Sequence, residues 1–293
     1  MIKRAIGVIV AIALVCVIVP LIGPRDDVAT AAVEMGAVHE SYVPAHGKIY
    51  VLVIGNDARF GNPDQSRADA IHLVGINIDK MRGGILNFPR DSWVSIPGHG
   101  TSKINEALYD GGPQLLAQTL ESLTGIHIDY WIMTGFQGFD GLVRDLHGVQ
   151  YNVPHRIDDN FSGAHLDGGK QILSGWEALS FVRSRHAWPN GDIDRTTNQA
   201  KFLLALLKKL RGQVDGDPSR LLDWIAIVQK HTRLDIPASD QFKLGVLASH
   251  VQPGRVGIQT VPVTIGAVGA ASVVFISPGA KTIYAKFRKN AYL

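Results

Sequence analysis

The stretch Lys48-Ile49-Tyr50-Val51-Leu52-Val53-Ile54-Gly55-Asn56-Asp57 decides the fold. Its apolar part is short and rich in β-branched residues, and it stops at a glycine, so it reads as a buried strand. Outward from it, Asp69 to Asn77 reads as a second strand and Gly84 to Phe88 as a third. Asp129 to Met133, Val256 to Val263 and Ser272 to Ile276 carry the same extended signature. Helical spacing runs over 112–124 after a Gly-Gly-Pro turn, then over 136–146, 174–182, 192–211, 218–232 and 238–250. Strands mixed with amphipathic helices predict an α/β or α+β fold with a three-layer core. There is no internal repeat and no low-complexity tract.

Composition narrows the class. The chain has 293 residues, 46% hydrophobic and 19% charged, with a net charge of +3. It is too apolar and too weakly charged to be wholly disordered. A mean hydropathy of +0.09 is too low for a polytopic membrane protein. One cysteine, Cys16, excludes a disulfide scaffold. The length suits one large domain, or one with a small annex. The slight excess of positive charge fits an anionic substrate or a membrane surface without identifying either.

The amino terminus sets the expected location. Lys3 and Arg4 precede an apolar run from Ala5 to Ile22. Eighteen helical residues reach about 27 Å, close to the hydrocarbon thickness of a bilayer. The basic residues should stay cytoplasmic, so the remainder faces outward. The run reads as an uncleaved anchor over 1–23. A secretory signal peptide cleaved near Ala29-Thr30-Ala31 is the competing reading. Residues 24–47 read as a linker and 48–293 as an extracytoplasmic body, giving a single-pass protein of the cell membrane.

Chemistry gathers where the strands end. If the first two strands form a hairpin, Asp57 and Asp69 lie at the same end of the sheet. Arg67 and Asp69, two apart, then share a face. An antiparallel third strand delivers Pro89-Arg90-Asp91 to that same edge. Later, Arg183-Ser184-Arg185-His186 spaces two arginines at period two, and Asp192, Arg195 and Gln199 fall on one face of a helix. Arginine forks match phosphate oxygens, and paired aspartates with arginines fit a divalent cation bridging carboxylate to phosphate. Spacing alone reaches no further than a polyphosphate site, because most Arg–Asp neighbours on a surface are solvated pairs of little consequence.

A larger pattern adds to this. The pieces are Ile54-Gly55-Asn56-Asp57, Arg67-Ala68-Asp69-Ala70, Phe88-Pro89-Arg90-Asp91-Ser92 and Lys103-Ile104-Asn105-Glu106-Ala107. The Gly111-Gly112-Pro113 turn, Ile128-Asp129-Tyr130, Phe136-Gln137-Gly138-Phe139 and Gly148-Val149 follow. Leu173-Ser174-Gly175-Trp176-Glu177-Ala178-Leu179, Val182-Arg183-Ser184-Arg185-His186, and Gly191-Asp192 with Arg195 and Gln199 complete the set. In this order, over 51–199, the chain resembles the LytR–CpsA–Psr family of cell-wall glycopolymer ligases. Asn56 stands where the family often has serine.

The resemblance implies a central mixed sheet flanked by helices and an apolar cavity for a polyprenyl pyrophosphate. It implies Mg²⁺, with Mn²⁺ able to substitute, on Asp57 and Asp69. Arg67, Arg90, Arg183, Arg185 and Arg195 would surround the phosphates. Asp91, Lys103, Asn105 and Gln199 match motif positions that support the site. The implied reaction moves a glycan from its polyprenyl-pyrophosphate carrier onto a hydroxyl of peptidoglycan. Asp57, Asp69, Arg90 and Asp91 would be the catalytic group, and Asp91 or another of these aspartates the base.

Two rival readings share the sequence. A pyrophosphatase would use water in place of the sugar hydroxyl. A non-catalytic regulator is the other, but no Lys/Arg stripe or helix-turn-helix is present, and no nucleic-acid partner is expected. The apolar runs Phe202–Leu207 and Leu221–Val228 read as core helices that could also line a lipid groove. Residues 230–293 are expected to complete the same domain. Lys281, Lys286, Arg288 and Lys289 make a basic terminus, read as a solvated tail or a contact for anionic polymer or lipid.

Overall fold

The computed structural model describes residues 47–58 and 66–293. The anchor assigned to 1–23, and the linker apart from Gly47, lie outside the described residues. Among the described residues no helix is long and apolar enough to cross a membrane.

In chain order the elements are β1 (Lys48–Asn56), β2 (Ala68–Asn77), β3 (Arg82–Asn87), β4 (Trp93–Ile96), β5 (Gly100–Lys103), α1 (Glu106–Thr124), β6 (Tyr130–Thr134), α2 (Phe136–Asp145) and β7 (Val149–Val153). Then come β8 (Ile157–Asp159), β9 (Ala164–Leu166), β10 (Gly169–Leu173), α3 (Gly175–Arg183), α4 (Asp192–Gly216), α5 (Arg220–His231), β11 (Arg233–Leu234) and α6 (Ala238–His250). The chain closes with β12 (Val256–Thr260), β13 (Val263–Val268), β14 (Ala271–Ile276) and α7 (Ala280–Asn290).

Six strands form one mixed sheet in the order β11-β6-β1-β2-β3-β12. β1 and β2 are antiparallel, as are β2 and β3. β6 joins β1 and β12 joins β3 in parallel. The carboxyl ends of β1, β3, β6 and β12 therefore meet the amino end of β2 at one edge.

Helices cover both faces. Leu52 and Ile54 of β1 point into a core shared with Leu116 and Leu120 of α1 and Tyr284 and Phe287 of α7. On the other side α4 crosses β2, β3 and β12. There a second core gathers Val143, Phe181, Phe202 and Trp224. The result is a mixed α/β sheet between helical layers. The second core is the looser one. Phe139, Leu206, Ile225, Ile227 and Val228 are only half-buried against it.

Several expectations change. The 112–124 helix begins at Glu106, but Gly111 and Gly112 break it, with Gly112 at φ 70°. Its regular part therefore starts at Pro113, a residue suited to a first helical turn. β12 ends at Thr260 rather than Val263, just before Pro262, which has no N–H for a ladder. The basic terminus is not a tail. Lys281, Lys286, Arg288 and Lys289 lie on α7, which buries Tyr284 and Phe287 in the first core. The hairpins β4–β5, β7–β10 and β8–β9 were not legible in the apolar pattern.

Candidate active site

The strand edge bears a cavity of about 350 Å³ lined by Asp57, Asp69, Arg90, Phe136, Asp159, Phe161, Ser162, Arg183, Arg185, His186 and Arg195. Of the residues singled out from sequence, Asp57, Asp69, Arg90, Arg183, Arg185 and Arg195 meet here.

Local backbone explains each arrival. The register of β1 against β2 slips between Gly55 and Asn56, a bulge that redirects the chain at Asp57. The Arg67 N–H then donates to Asp57 Oδ1 at 3.0 Å, and the Asp57 N–H to Arg67 O at 3.2 Å. Asp69, the second residue of β2, accepts from the Arg90 guanidinium, which comes from the turn after β3. Burial works against the charge on Arg90. Asp69, Asp192 and Asp91 outweigh it, so the Arg90 pKa lies above the ordinary value.

α3 is fixed at its start by a reciprocal cap between Ser174 and Glu177. It ends on Arg183, whose guanidinium lies 4.5 Å from the centre of the Phe136 ring. Ser184 turns extended at φ −62°, ψ 130°, which carries Arg185 back to the same cavity. Among the described residues no carboxylate pairs with the Arg185 guanidinium. α4 begins at the cavity edge. Its Arg195 bonds Asp192 Oδ1 at 2.7 Å and reaches the Asp69 carbonyl at 3.4 Å. Burial pulls the Arg195 pKa down, against the pull of Asp192 and Asp69.

The other candidates stand beside or behind this wall. Arg67 extends to Glu106 at 2.8 Å and is 55% exposed. Asp91 pairs with Lys103 at 2.8 Å and lies 3.8 Å from Arg90 Nε. Asn105 ties two strand ends together: its N–H donates to the Arg90 carbonyl at 3.2 Å and its carbonyl accepts from the Ala68 N–H at 3.4 Å. Gln199 donates to the Val182 carbonyl at 3.1 Å, joining α4 to α3.

The family model LytR_cpsA_psr matches residues 26–289. The chain belongs to the LytR_cpsA_psr family. It is 34% identical over 203 residues to the regulatory protein MsrR of Staphylococcus aureus strain COL, covering 68% of this chain and 60% of that one. It is 35% identical over 179 residues to the polyisoprenyl-teichoic acid–peptidoglycan teichoic acid transferase TagT of Bacillus subtilis strain 168, covering 58% of this chain and 55% of TagT. The match therefore spans about three-fifths of the length of these relatives. The solved structure of the LytR-CPS2A-psr protein YwtF (TagT) with bound octaprenyl pyrophosphate superposes with a TM-score of 0.64 at 22% identity, over 87% of this chain and 95% of that one. At that identity the superposition establishes a shared fold.

Asp159, Phe161 and Ser162 lie outside the motif segments that carry the family resemblance. All three come from the β8–β9 hairpin. Asp159 is the key to that wall. Its side chain is 1% exposed. Oδ2 accepts from Ser184 Oγ at 2.8 Å, the Arg185 N–H at 3.0 Å and the His186 N–H at 3.2 Å. Oδ1 accepts from the Phe161 N–H at 3.0 Å. Burial alone would raise its pKa. The bonds from Ser184, Arg185, His186 and Ser162 overcome that and hold it at about 2. One signal was available: Asp commonly turns the chain by accepting the N–H groups two and three residues on, as Asp159 does from Phe161 and Ser162.

Proposed function

We propose that the chain is a phosphotransferase that moves a glycopolymer from a polyprenyl-pyrophosphate carrier onto a hydroxyl of peptidoglycan. The observation that carries this reading is the convergence of Arg90, Arg183, Arg185 and Arg195, from three separate segments, on one cavity with Asp57 and Asp69. Four guanidinium groups around so small a space suit a ligand with several negative charges. The names of the relatives agree: TagT is described as a polyisoprenyl-teichoic acid–peptidoglycan teichoic acid transferase, and its fold is known with octaprenyl pyrophosphate bound.

The reaction would run as follows. The acceptor hydroxyl attacks the glycan-side phosphorus, and the bond from that phosphorus to the bridging oxygen breaks. Polyprenyl monophosphate leaves, the acceptor proton passes to a carboxylate, and the glycan ends as a phosphodiester. Charge moves onto the bridging oxygen, where Arg90, Arg185 and Arg195 would stabilise it. Asp57 and Asp69 are the carboxylates on the cavity wall. Asp91, held by Lys103, would help to position Arg90.

A divalent cation fits the donor set. Among the described residues no three His, Cys, Asp or Glu side chains cluster to hold a metal by themselves. Mg²⁺ commonly takes one or two carboxylates and completes its shell with water and substrate phosphate. Asp57 and Asp69 would supply those carboxylates, with Mn²⁺ as a substitute, and the bound ion would neutralise phosphate charge.

The half-buried apolar side chains between α2, α4 and α5 supply a surface for the prenyl chain. The 1–23 segment would hold the protein in the cell membrane with its body outside. The test is to purify the full chain in detergent and identify co-purified lipid by mass spectrometry. Incubation with a lipid-linked glycan and peptidoglycan follows. Polyprenyl phosphate together with glycan joined to peptidoglycan supports the transferase. Free phosphorylated glycan would mark a hydrolase.

A further inference from the structure

Phe161 occupies the tip of the β8–β9 hairpin and is 79% exposed, although it lines the arginine cavity. Its ring lies over the His186 imidazole, with centroids 4.2 Å apart and planes inclined by 35°. Its N–H is held by Asp159 Oδ1, the carboxylate whose other oxygen holds the Arg185 N–H. The hairpin tip that carries the ring is thus tied to the backbone of Arg185. The first core has no use for this ring, and a hairpin tip could carry any polar residue at less cost in exposed apolar surface.

We propose that Phe161, backed by His186, is the platform for the sugar ring bonded directly to the pyrophosphate. The assignment rests on the pyrophosphate reading given above. A pyranose has a face of polarised C–H bonds and a rim of hydroxyls. The C–H face meets the negative face of an aromatic ring, and the hydroxyls need polar neighbours. The cavity wall has this composition: Phe161, far more open than the half-buried Phe136, stands beside Arg185 and His186. A prenyl chain would instead strip water from those polar groups without replacing their hydrogen bonds. The first sugar is bonded to the pyrophosphate and must lie next to it, so its platform belongs on the cavity rim. The second core's half-buried apolar surface remains for the lipid.

The test compares two probes on the full chain in detergent: octaprenyl pyrophosphate, and octaprenyl-pyrophosphoryl-N-acetylglucosamine. Phe161→Ala should weaken binding of the sugar-bearing lipid by about tenfold, in line with the worth of a single aromatic contact, and leave the bare lipid unchanged. Phe161→Trp, which restores an aromatic face, should bind both as the unaltered chain does. Equal affinity of Phe161→Ala for both lipids at unaltered levels would overturn the platform. So would an equal loss for both, which would make Phe161 a support for the Arg185 segment. Failure of the unaltered chain to bind bare octaprenyl pyrophosphate is a separate outcome: it removes the pyrophosphate reading and the platform with it.

Discussion

Asp159 Oδ2 accepts the Arg185 backbone N–H at 3.0 Å, so a buried carboxylate on a hairpin fixes an arginine that enters the cavity from the end of a helix. The same oxygen takes the Ser184 hydroxyl and the His186 N–H. Asp159→Asn puts an amide where one oxygen now accepts several donors. Each buried donor left without a partner costs about 1–3 kcal/mol. The segment should relax away from the cavity, lowering affinity for octaprenyl pyrophosphate and the transfer rate by at least about tenfold. Ser184→Ala removes one of these donors and should fall well short of that loss. Equal affinity in Asp159→Asn and the unaltered chain would show that Arg185 is held by something else.

Arg90 and Arg185 differ in what they hold. Arg90 pairs with Asp69 and approaches Asp91 and Asp192, whereas no described carboxylate pairs with Arg185. Arg185→Ala should abolish transfer with little change in stability. Arg90→Ala should also abolish transfer, and it should lower the urea midpoint because Asp69 loses its partner. Normal transfer in both variants would remove the site assignment.

The contrast between strand ends and hairpin explains how much could be read from sequence. β1 to β3 are long, apolar and punctuated by turn residues, so periodicity gave the strands; the meeting of Asp57, Asp69 and Arg90 followed only on the condition that they pair antiparallel, as they do. The arrival of Arg183 and Arg195 came from motif resemblance, since nothing in their spacing says which edge α3 and α4 meet. Asp159 and Phe161 escaped both routes. β8 and β9 are three residues each, with polar outward positions, and three residues are too few to show a period of two. For Phe202–Leu207 and Leu221–Val228 the sequence left core and groove open for a similar reason: a helix facing an incompletely filled space has the same apolar stripe as one facing a full core.

His72 offers a pH test of the packing beneath the site. It lies on β2, bonded through Nδ1 to Asn87 Oδ1 at 2.9 Å. Burial pulls its pKa down to about 4, outweighing that bond. The folded value lies below the unfolded one. Between about pH 6.5 and 4 the unfolded chain therefore binds a proton that the folded chain refuses, and stability falls as pH falls. The loss across that window should be on the order of 3 kcal/mol. His72→Gln keeps a donor for Asn87 but does not titrate. Urea unfolding at pH 7 and pH 5 should show a much smaller difference in this variant. An unchanged difference would place the titration elsewhere.

Two glycines should respond in opposite directions to alanine. A Cβ at Gly75 of β2 would sit 2.8 Å from the Phe287 ring and from the Ala291 carbonyl, where α7 closes on the sheet. Gly75→Ala should destabilise by about 1–3 kcal/mol through overpacking. Gly212 lies inside α4, with nothing within 4 Å of an added Cβ. Gly212→Ala should stabilise by about 0.4–1 kcal/mol by restricting the unfolded chain. Urea midpoints measure both, and a stabilising Gly75→Ala would mean that α7 does not dock as described.

The proposed metal requirement can be tested apart from the structural work of Asp57 and Asp69. Asp69 is a poor place to begin, because removing its charge also strips Arg90 of an ion pair. Asp57 is better placed. Its Oδ1 accepts a backbone N–H from Arg67, a bond that an amide oxygen can still make. Asp57→Asn therefore keeps the loop and loses one negative charge. If Asp57 helps to hold Mg²⁺, chelation should stop transfer by the unaltered chain and added Mg²⁺ should restore it. Asp57→Asn should then need a markedly higher Mg²⁺ concentration for half-maximal rate. Binding gives a second readout. Mg²⁺ should tighten octaprenyl pyrophosphate on the unaltered chain, since the ion would bridge carboxylate and phosphate, and should do so less on Asp57→Asn. Full transfer in the presence of chelator would leave the arginines to neutralise the phosphates alone.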